Sequence, residues 1–516
     1  MTWAADAPQG AESYKIKYEI VPYTRGRVLD LGSGPWKPYS HFISIDLRRE
    51  WTEFNWKPDI VGDATDLSFF ASGSFSSVFS SHLLEHIEDT GDTLREWWRV
   101  VKVGGYLVLY VPHKDFYPNI GSPGSNHNHI HDFMPDDLVG QMKLVGKGWD
   151  LVRNESRDQD DEYSIFQVYR KRSDREQNML YLKKRPDKTC CVVRYGGIGD
   201  MIQASSILPG LKDQGYHVTF NCSPDGYDII KHDPHIDDYI IQDKNQVPME
   251  ELGPYWAVMK EKFDKFINLT ESTEVNAITV PTITPHKWPK ALRHKRYNVN
   301  YLELLHDIAE VDLPVRQAFY ATKDEQAWAK AEYRRLNADP VILYTLSGSA
   351  VHKVWPYQDQ LMARILLVYP DAKIILVGDM ISQFLQLGWE NEPRIIMRSG
   401  EWSVRETLAF AHEVDLVIGP DTGVLNAVGL TDVPKIIFLS SVTVENITKY
   451  WNNTISLIPQ GCDCYPCHQL NTNFSQCVQN EFTGTADCQA KISLDDAWEA
   501  VKDIIFTRTR KAVSNG

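Results

Sequence analysis

Residues 190–213 read CCVVRYGGIGDMIQASSILPGLKD, and this segment holds the strongest structural signal in the chain. The apolar run Cys190–Val193 predicts a buried strand, the glycines after it predict a tight turn, and Asp200 opens a helical pattern. Such a strand–turn–helix unit is the building block of parallel α/β sheets. Aspartate at a helix start commonly serves only as a cap. Because the neighbouring glycines leave bare backbone, its carboxylate can also reach a bound hydroxyl, so both interpretations stay open.

The same alternation of strands and helices continues toward the C-terminus. Further apolar runs predict strands at 216–220, 266–269, 341–344, 373–377, 416–418 and 435–439. Strands of this kind, separated by helical patterns, are typical of a parallel sheet covered on both faces. We therefore expect two successive Rossmann-like lobes, residues 189–335 and 336–516, with a cleft between them.

The N-terminal third shows the pattern once more. Strands are predicted at 27–30, 42–46, 77–80 and 106–111, which indicates a separate Rossmann-like domain over residues 1–172. A polar, charged stretch at 173–188 is expected to be a linker. The predicted fold class is therefore α/β throughout.

Composition limits the function classes. The chain has 516 residues, which suggests about three domains. Its net charge of -15 argues against a broad basic face for nucleic acid. No signal peptide and no apolar stretch long enough to span a bilayer are visible, so the expected location is the cytoplasm.

An ordered set of motifs follows the first predicted strand. Asp30–Gly34 forms a glycine turn between strand and helix, Asp46 ends the second strand, and Gly62–Ala64 follows a further strand-like run. Glycines let the backbone approach a nucleoside closely, and an acidic residue can accept hydrogen bonds from ribose hydroxyls. Together with the motifs 79–86, 97–100 and 102–105, the set resembles class I S-adenosylmethionine-dependent methyltransferases of the type 11 group.

That resemblance implies S-adenosylmethionine as a cofactor. It implies that Asp30, Gly32 and Gly34 face the methionine and ribose, that Asp46 holds the ribose hydroxyls and that Asp63 holds the adenine amine. Two departures stand out: Trp36 follows Pro35 where another glycine is usual, and 34–46 is too short for a full first helix. Methyl transfer and a non-catalytic scaffold both remain open.

The segment 126–132 reads NHNHIHD. On a strand, alternating histidines would project to one side and could bind a metal. They could also form a substrate-side loop with a general base, or solvent-exposed loop residues. His131 resembles a residue of the loop that closes the methyl-acceptor side in related proteins.

Two more motifs join strand ends to helix starts near the C-terminus. Ser347–Pro356 contains Lys353, which can neutralise a diphosphate leaving group. Gly419–Asn426 can bind phosphate oxygens through backbone N–H groups at a helix start. With the Asp200 motif, these segments resemble glycosyltransferase family 9, the heptosyltransferases, from about Cys190 to the C-terminus.

That resemblance implies a GT-B fold with an N-terminal acceptor lobe and a C-terminal nucleotide-sugar lobe. It implies inverting, metal-independent transfer, with Asp200 as general base and Lys353 stabilising the leaving group. It further implies Thr422 and Gly423 at the phosphates, Asp421 at the sugar, and Ser347 in the same donor site. Asn426 stands where the family usually has histidine, so the donor is ADP-heptose or another nucleotide sugar.

Five cysteines crowd near the C-terminus. Cys464, Cys467, Cys477 and Cys488 follow a CxxC-led spacing that favours a tetrahedral structural site for zinc or iron, with Cys462 as an additional thiol. The pattern resembles the iron-finger of autotransporter heptosyltransferases in the same family. Four reduced thiols in a packed loop are the alternative.

Three functional hypotheses follow. The chain glycosylates an acceptor and methylates the glycan or acceptor; or it is a glycosyltransferase whose N-terminal domain only binds acceptor or mediates assembly; or it modifies hydroxylated DNA bases, which the acidic balance disfavours. Lipopolysaccharide, a surface glycan and a protein hydroxyl are all candidate acceptors, and the sequence leaves the oligomeric state open, a homo-oligomer included.

Overall fold

The computed structural model describes residues 11–50, 52, 55–159, 161–173, 179–180, 186–243, 246–270 and 272–514. They form three sheets with flanking helices. The chain divides into two compact units, of which the first contains residues 1–187 and 240–264 and the second contains 188–239 and 265–516.

The strands have the following bounds: β1 (Val28–Leu31), β2 (Ile43–Asp46), β3 (Ile60–Val61), β4 (Phe75–Ser81), β5 (Val101–Pro112), β6 (Trp149–Arg157), β7 (Ser164–Lys171), β8 (Met179–Leu180), β9 (Thr189–Val193), β10 (His217–Cys222), β11 (Asp238–Ile241), β12 (Lys265–Asn268), β13 (Val341–Thr345), β14 (Lys373–Val377), β15 (Ile395–Met397), β16 (Leu416–Pro420), β17 (Lys435–Phe438) and β18 (Thr454–Leu457).

The α-helices have the following bounds: α1 (Glu12–Lys15), α2 (Thr90–Val100), α3 (Pro135–Val145), α4 (Ile198–Ala204), α5 (Leu208–Asp213), α6 (Pro224–Ile230), α7 (Leu252–Glu261), α8 (Ser272–Asn276), α9 (Lys290–Tyr297), α10 (Tyr301–Ala309), α11 (Lys323–Leu336), α12 (Gln358–Val368), α13 (Met380–Leu385), α14 (Val404–Ala411), α15 (Gly423–Val428), α16 (Asp487–Ala490) and α17 (Leu494–Ser514).

The first unit is built on an eight-stranded sheet in the order β3-β2-β1-β4-β5-β7-β6-β8. Strands β1 to β5 pair in parallel, and β7 runs antiparallel to both of its neighbours. Residues 32–42, between β1 and β2, form turns and no helix, in the region where the sequence is too short for a full first helix. In the predicted linker 173–188, residues 174–178 and 181–185 lie outside the described residues, whereas β8 pairs with β6.

A segment distant in sequence completes the first unit. Residues 240–264 lie within the stretch predicted as one contiguous acceptor lobe, yet they pack with residues 1–187. The Gln246 side-chain amide donates a hydrogen bond to the Val21 carbonyl at 2.7 Å, and the Lys262 ammonium lies 2.5 Å from the Glu19 carboxylate. Polar contacts to buried backbone hold such a segment in a defined place.

The second unit contains a six-stranded sheet in the order β15-β14-β13-β16-β17-β18, and β10, β9 and β12 of a sheet in the order β11-β10-β9-β12. The six-stranded sheet is parallel throughout. In β13, Val341 and Leu343 pack into one hydrophobic core while Ile342 and Tyr344 pack into another. Because successive side chains point to opposite faces, this strand is buried on both sides, as its continuous apolar run predicts.

The α/β fold class predicted from the sequence is confirmed. Among the described residues, no helix combines the length and apolar character needed to cross a bilayer.

Candidate functional site

A cavity of about 480 Å³ lies in the second unit. It is lined by the starts of α4 and α15 and by the loop after β13. Six of the residues singled out in the sequence meet there: Asp200, Ser347, Lys353, Asp421, Thr422 and Gly423. The three motifs, although far apart in the chain, therefore form one site.

The Asp200 carboxylate is held from two sides. One oxygen accepts a hydrogen bond from the Arg194 guanidinium at 2.5 Å, and the other accepts one from the Gly197 backbone N–H at 2.8 Å. Asp200 is thus a helix cap and also a cavity residue, so its two interpretations are compatible. These bonds fix the direction in which the carboxylate faces.

Arg194 and Glu274 were not assigned roles from the sequence. Arg194 is buried, and its guanidinium lies 3.3 Å from Glu274 as well as close to Asp200. Burial would lower the pKa of Arg194, but the charges of Asp200 and Glu274 outweigh it and raise the pKa. The position of Arg194 between β9 and the glycine turn could have indicated from the sequence that it belongs to the site. Its pairing with Glu274 depends on tertiary structure and has no local signal.

The Lys353 ammonium lies 3.2 Å from one oxygen of Asp421. The other Asp421 oxygen accepts a hydrogen bond from the Asn426 side chain at 3.1 Å. Gln203, one turn after Asp200 on α4, donates to the Asn426 side-chain oxygen at 3.0 Å. This chain of contacts connects α4 to α15, and Asn426 lies at its centre.

The starts of α4 and α15 abut closely. A Cβ atom placed on Gly423 would lie 2.4 Å from the Ile198 Cβ and 3.1 Å from the Gly199 backbone nitrogen. A Cβ on Gly199 would lie 3.4 Å from the Asn426 side chain. Glycine at these positions therefore permits the two helix starts to approach each other.

Ser347 is buried beside the start of α13. Its hydroxyl lies 2.8 Å from the Ser382 hydroxyl and 3.3 Å from the Asp379 carboxylate. Asp379 in turn caps α13 by accepting from the backbone N–H groups of residues 381 and 382. Ser347 lines the cavity while its side chain fixes the loop to this helix.

The glycine loop of the first unit leaves β1 in left-handed conformations. The φ angles are +64° at Gly32 and +51° at Gly34, values that favour glycine. The Gly34 N–H donates to the Asp46 carboxylate at 3.1 Å, which ties the loop to the end of β2. Asp30 is fully buried within β1, and this burial raises its pKa well above the ordinary value.

Asp63 lies beyond the end of β3, at the same edge of the sheet. The registers of β1 with β2 and of β2 with β3 bring the three carboxyl ends side by side. One Asp63 oxygen accepts hydrogen bonds from the N–H and the hydroxyl of Thr65, both at 2.8 Å. The predicted binding residues of this unit thus follow neighbouring strands, where α/β proteins bind their ligands.

The structure distinguishes between the alternatives left open for the histidine segment. Residues 126–132 form a loop and not a strand, because Asn128 donates its N–H to the Asn126 side chain in a local turn. The three alternating histidines therefore do not share a face. His127 is exposed, His131 lies 2.9 Å from the Ile87 carbonyl through its Nε2, and only His129 is buried in a polar cluster.

That cluster consists of Glu85, His86 and His129, with His82 beside it. The ligand atoms of Glu85, His86 and His129 lie within 4.8 Å of one another, and this is the only such group among the described residues. Burial raises the pKa of Glu85 to about 8 and lowers the pKa of His82 to about 3. Glu85 lies in the motif 79–86, but no local pattern of the sequence indicates that it lies close to His129.

Two of the C-terminal cysteines are in contact, but among the described residues these cysteines form no group of three close enough to hold a metal ion. The Sγ atoms of Cys462 and Cys464 are 3.3 Å apart, so the thiol regarded as additional contacts the predicted tetrad directly. Burial, with the neighbouring sulfurs, raises the pKa of Cys464 to about 12. Burial also raises the pKa of Cys467 to about 11.

Comparison with known proteins gives matches for both parts of the chain. A family model described as a methyltransferase domain matches residues 31–109. No curated protein sequence matches. The two resemblances recognised in the sequence are both found among the family and structural matches.

Similar solved structures include three with the following measures. A glycosyl transferase family 9 protein from Veillonella parvula has a TM-score of 0.47 and 17% identity, covering 62% of this chain and 98% of its own. The ADP-heptose lps heptosyltransferase II of E. coli has a TM-score of 0.45 and 11% identity, covering 62% and 99%. An S-adenosylmethionine dependent methyltransferase from Mesorhizobium loti has a TM-score of 0.26 and 15% identity, covering 31% and 99%.

Proposed function

We propose that the second unit is an inverting glycosyltransferase that moves a sugar from a nucleotide-sugar donor to a hydroxyl acceptor. The observation that supports this most directly is the convergence of Asp200 and the Lys353–Asp421 pair on one cavity. A base for the acceptor and a cation for the leaving group are the two functions that the reaction requires. The motif resemblance favours ADP-heptose as the donor.

In this mechanism the acceptor oxygen attacks the anomeric carbon from the face opposite the diphosphate. The new C–O bond forms as the bond to the diphosphate oxygen breaks, and the acceptor proton passes to Asp200. Lys353 and the backbone N–H groups at the start of α15 stabilise the negative charge on the departing nucleoside diphosphate. Arg194 and the Gly197 N–H hold Asp200 in place during the transfer.

Donor hydrolysis across a panel of nucleotide sugars tests the proposal. We expect turnover of ADP-heptose, or of one other nucleotide sugar, by the full chain, and loss of turnover in Asp200→Asn. Asp225→Asn is the matched control, because Asp225 is an exposed residue in the first turn of α6 and does not line the cavity. Full activity in Asp200→Asn would show that the base is assigned wrongly.

We further propose that the first unit binds S-adenosylmethionine and methylates the glycan or its acceptor. The support is the loop at Gly32 and Gly34, tied by hydrogen bond to Asp46 at the end of β2. Asp30, Gly32, Gly34, Asp46 and Asp63 would hold S-adenosylmethionine, which would supply an electrophilic methyl group for the acceptor oxygen. The acceptor is a lipopolysaccharide, surface-glycan or protein hydroxyl, and the cytoplasm is the proposed location.

One observation favours a non-catalytic alternative for this unit: the segment 31–43 lacks the helix that normally follows the first glycine loop. Calorimetry of the full chain with S-adenosylmethionine separates the two. Binding that Asp46→Asn weakens supports the cofactor site, and no heat at saturating ligand would favour a unit that only binds acceptor or mediates assembly.

For the C-terminal loop we propose a structural zinc or iron site formed by Cys464, Cys467, Cys477 and Cys488. The CxxC-led spacing of the sequence supports it, and metal binding would have to draw the sulfurs closer together, since these cysteines form no metal-sized group among the described residues. Elemental analysis of the purified chain should find about one zinc or iron that Cys467→Ser removes, and a metal content unaffected by this variant would contradict the site.

A further inference from the structure

The first unit contains a second group of chemically active side chains at its carboxyl edge. Glu85 and His86 follow β4 directly, and β4 pairs in parallel with β1 so that Ser80 lies opposite Leu31, just before the glycine loop. His129 reaches the same place from the loop 126–132. The group therefore lies at the strand edge where α/β folds bind ligands, next to the proposed cofactor loop.

The distances within this group fit a metal ion. The Glu85 Oε1 atom lies 3.9 Å from the His129 Nε2 and 4.0 Å from the His86 Nε2. Ligand bonds of about 2.0–2.2 Å in a tetrahedral site place donor atoms roughly 3.4 Å apart. On metal binding the distances from Glu85 to the two histidines would have to shorten by about half an ångström.

Hydrogen bonding already orients one ligand. The His86 Nδ1 lies 2.9 Å from the Asn128 carbonyl oxygen, which can only accept, so Nδ1 holds the proton and donates. The lone pair of the neutral ring is then on Nε2, the atom that faces Glu85. Histidine ligands of metals commonly use their second nitrogen in this way, which fixes both tautomer and ring orientation.

The burial of Glu85 also needs an explanation. Its side chain is fully buried, and neither carboxylate oxygen accepts a hydrogen bond from another described residue. Ionising a carboxyl group that has no donors in the interior is costly, and a bound cation is one way to compensate that cost. A backbone hydrogen bond holds the loop 126–132 next to Glu85: the N–H of Ile130 donates to the Glu85 carbonyl at 2.9 Å, which places the neighbouring His129 beside the carboxyl group.

We propose that Glu85, His86 and His129 bind a divalent transition-metal ion of the zinc type. Two imidazoles and one carboxylate are a ligand set that such ions prefer, and three protein ligands leave a fourth position open. That position would take an oxygen ligand, either water or the acceptor hydroxyl; its use for the acceptor rests on the methyl transfer proposed above. The Nδ1 atom of His82 lies 3.7 Å from the same Glu85 oxygen, so a third imidazole borders the site.

Zinc binding by the full chain tests the site. Zn²⁺ binding by the C-terminal thiols must first be suppressed. The background protein is therefore the full chain with Cys464→Ser and Cys467→Ser, and a chelator removes bound metal before the measurement. We expect about one Zn²⁺ per chain by calorimetry, with affinity at least ~10-fold weaker in Glu85→Gln and His129→Gln. His127→Gln is the matched control, since His127 is exposed on the same loop.

A second readout guards against variants that fold poorly. Co²⁺ bound to imidazole and carboxylate should absorb in the visible range without the near-ultraviolet charge transfer of thiolates, and Zn²⁺ should raise the Tm of the background protein but not of Glu85→Gln. Absence of Zn²⁺ binding in the background, or wild-type affinity in Glu85→Gln, would overturn the proposal. These measurements contain no S-adenosylmethionine, so they test the metal site independently of the proposed methyl transfer. Zn²⁺ binding together with a failed methylation in a separate assay would contradict only the methyl transfer.

Discussion

Replacing Gly423 by alanine tests how closely the two helix starts must approach. The added methyl group would lie 2.4 Å from the Ile198 Cβ, whereas ordinary contacts begin near 3.4 Å, so the neighbours must move by about 1 Å. Such overpacking costs about 1–3 kcal/mol. The better helix propensity of alanine would recover at most about 1 kcal/mol. The substitution is therefore destabilising over nearly all of that range of about 1–3 kcal/mol.

The displacement acts where the chemistry is proposed. Ile198 begins α4, which holds Asp200, and Gly423 begins α15, whose first N–H groups are proposed to bind the diphosphate. A misplacement of about 1 Å in a reacting geometry can cost ~100-fold in rate. We therefore expect the kcat of donor hydrolysis to fall ~10- to 100-fold in Gly423→Ala.

The matched control is Gly253→Ala. Gly253 lies in α7, and a Cβ there would meet no atom within 4 Å, so activity should remain at the wild-type level. Donor hydrolysis is measured for both variants at saturating nucleotide sugar, with folding monitored by circular dichroism. If Gly423→Ala keeps kcat within twofold of wild type, the close approach of α4 and α15 is not what positions the site.

Three further predictions follow from individual residues. Lys353→Met should lower kcat of donor hydrolysis ~100- to 1,000-fold with a smaller change in KM, measured by steady-state kinetics, because charge on the leaving group develops in the transition state. Asp46→Ala should weaken S-adenosylmethionine binding about 10-fold by calorimetry, whereas Asp66→Ala, at an exposed residue whose carboxylate bonds Ser68, should not. Burial would raise the pKa of Glu19, but the charges of Lys262, Arg157 and Arg153 lower it to about 2. The contribution of Glu19 to stability is therefore present above pH ~4.5 and is lost as the pH falls toward 2. Hydrogen exchange should show that loss in wild type and not in Glu19→Gln.

The sequence predicts the fold class well because parallel strands buried on both faces leave a strong local signal. The run Val341–Tyr344 is buried at every position, and it forms the first four of the five residues of β13. The motif around Asp200 likewise predicts its own strand, turn and helix start. Local patterns of this kind do not depend on which other segments pack nearby.

The site was predictable only in part. Asp200, Lys353 and Asp421 each stand in a recognisable motif, and their convergence follows from resemblance to a known family. The pairing of Arg194 with Glu274 joins residues 80 positions apart in sequence, and no local pattern specifies it. Glu85 and His129 meet for the same reason: a loop folds back, and its path is set by backbone hydrogen bonds that composition does not reveal.

The division of the chain has a consequence for biosynthesis and for engineering. Residues 240–264 belong to the first unit although the second unit has already begun at residue 188. On the ribosome the first unit cannot acquire all of its parts until Asp264 has emerged, so the opening strands of the second unit are made while the first is unfinished. A cut near residue 187 would therefore yield an N-terminal fragment without the partners of Glu19 and Val21 that Lys262 and Gln246 supply. Separate expression of this unit calls for a design that restores the missing segment, by insertion or by supplying it as a peptide.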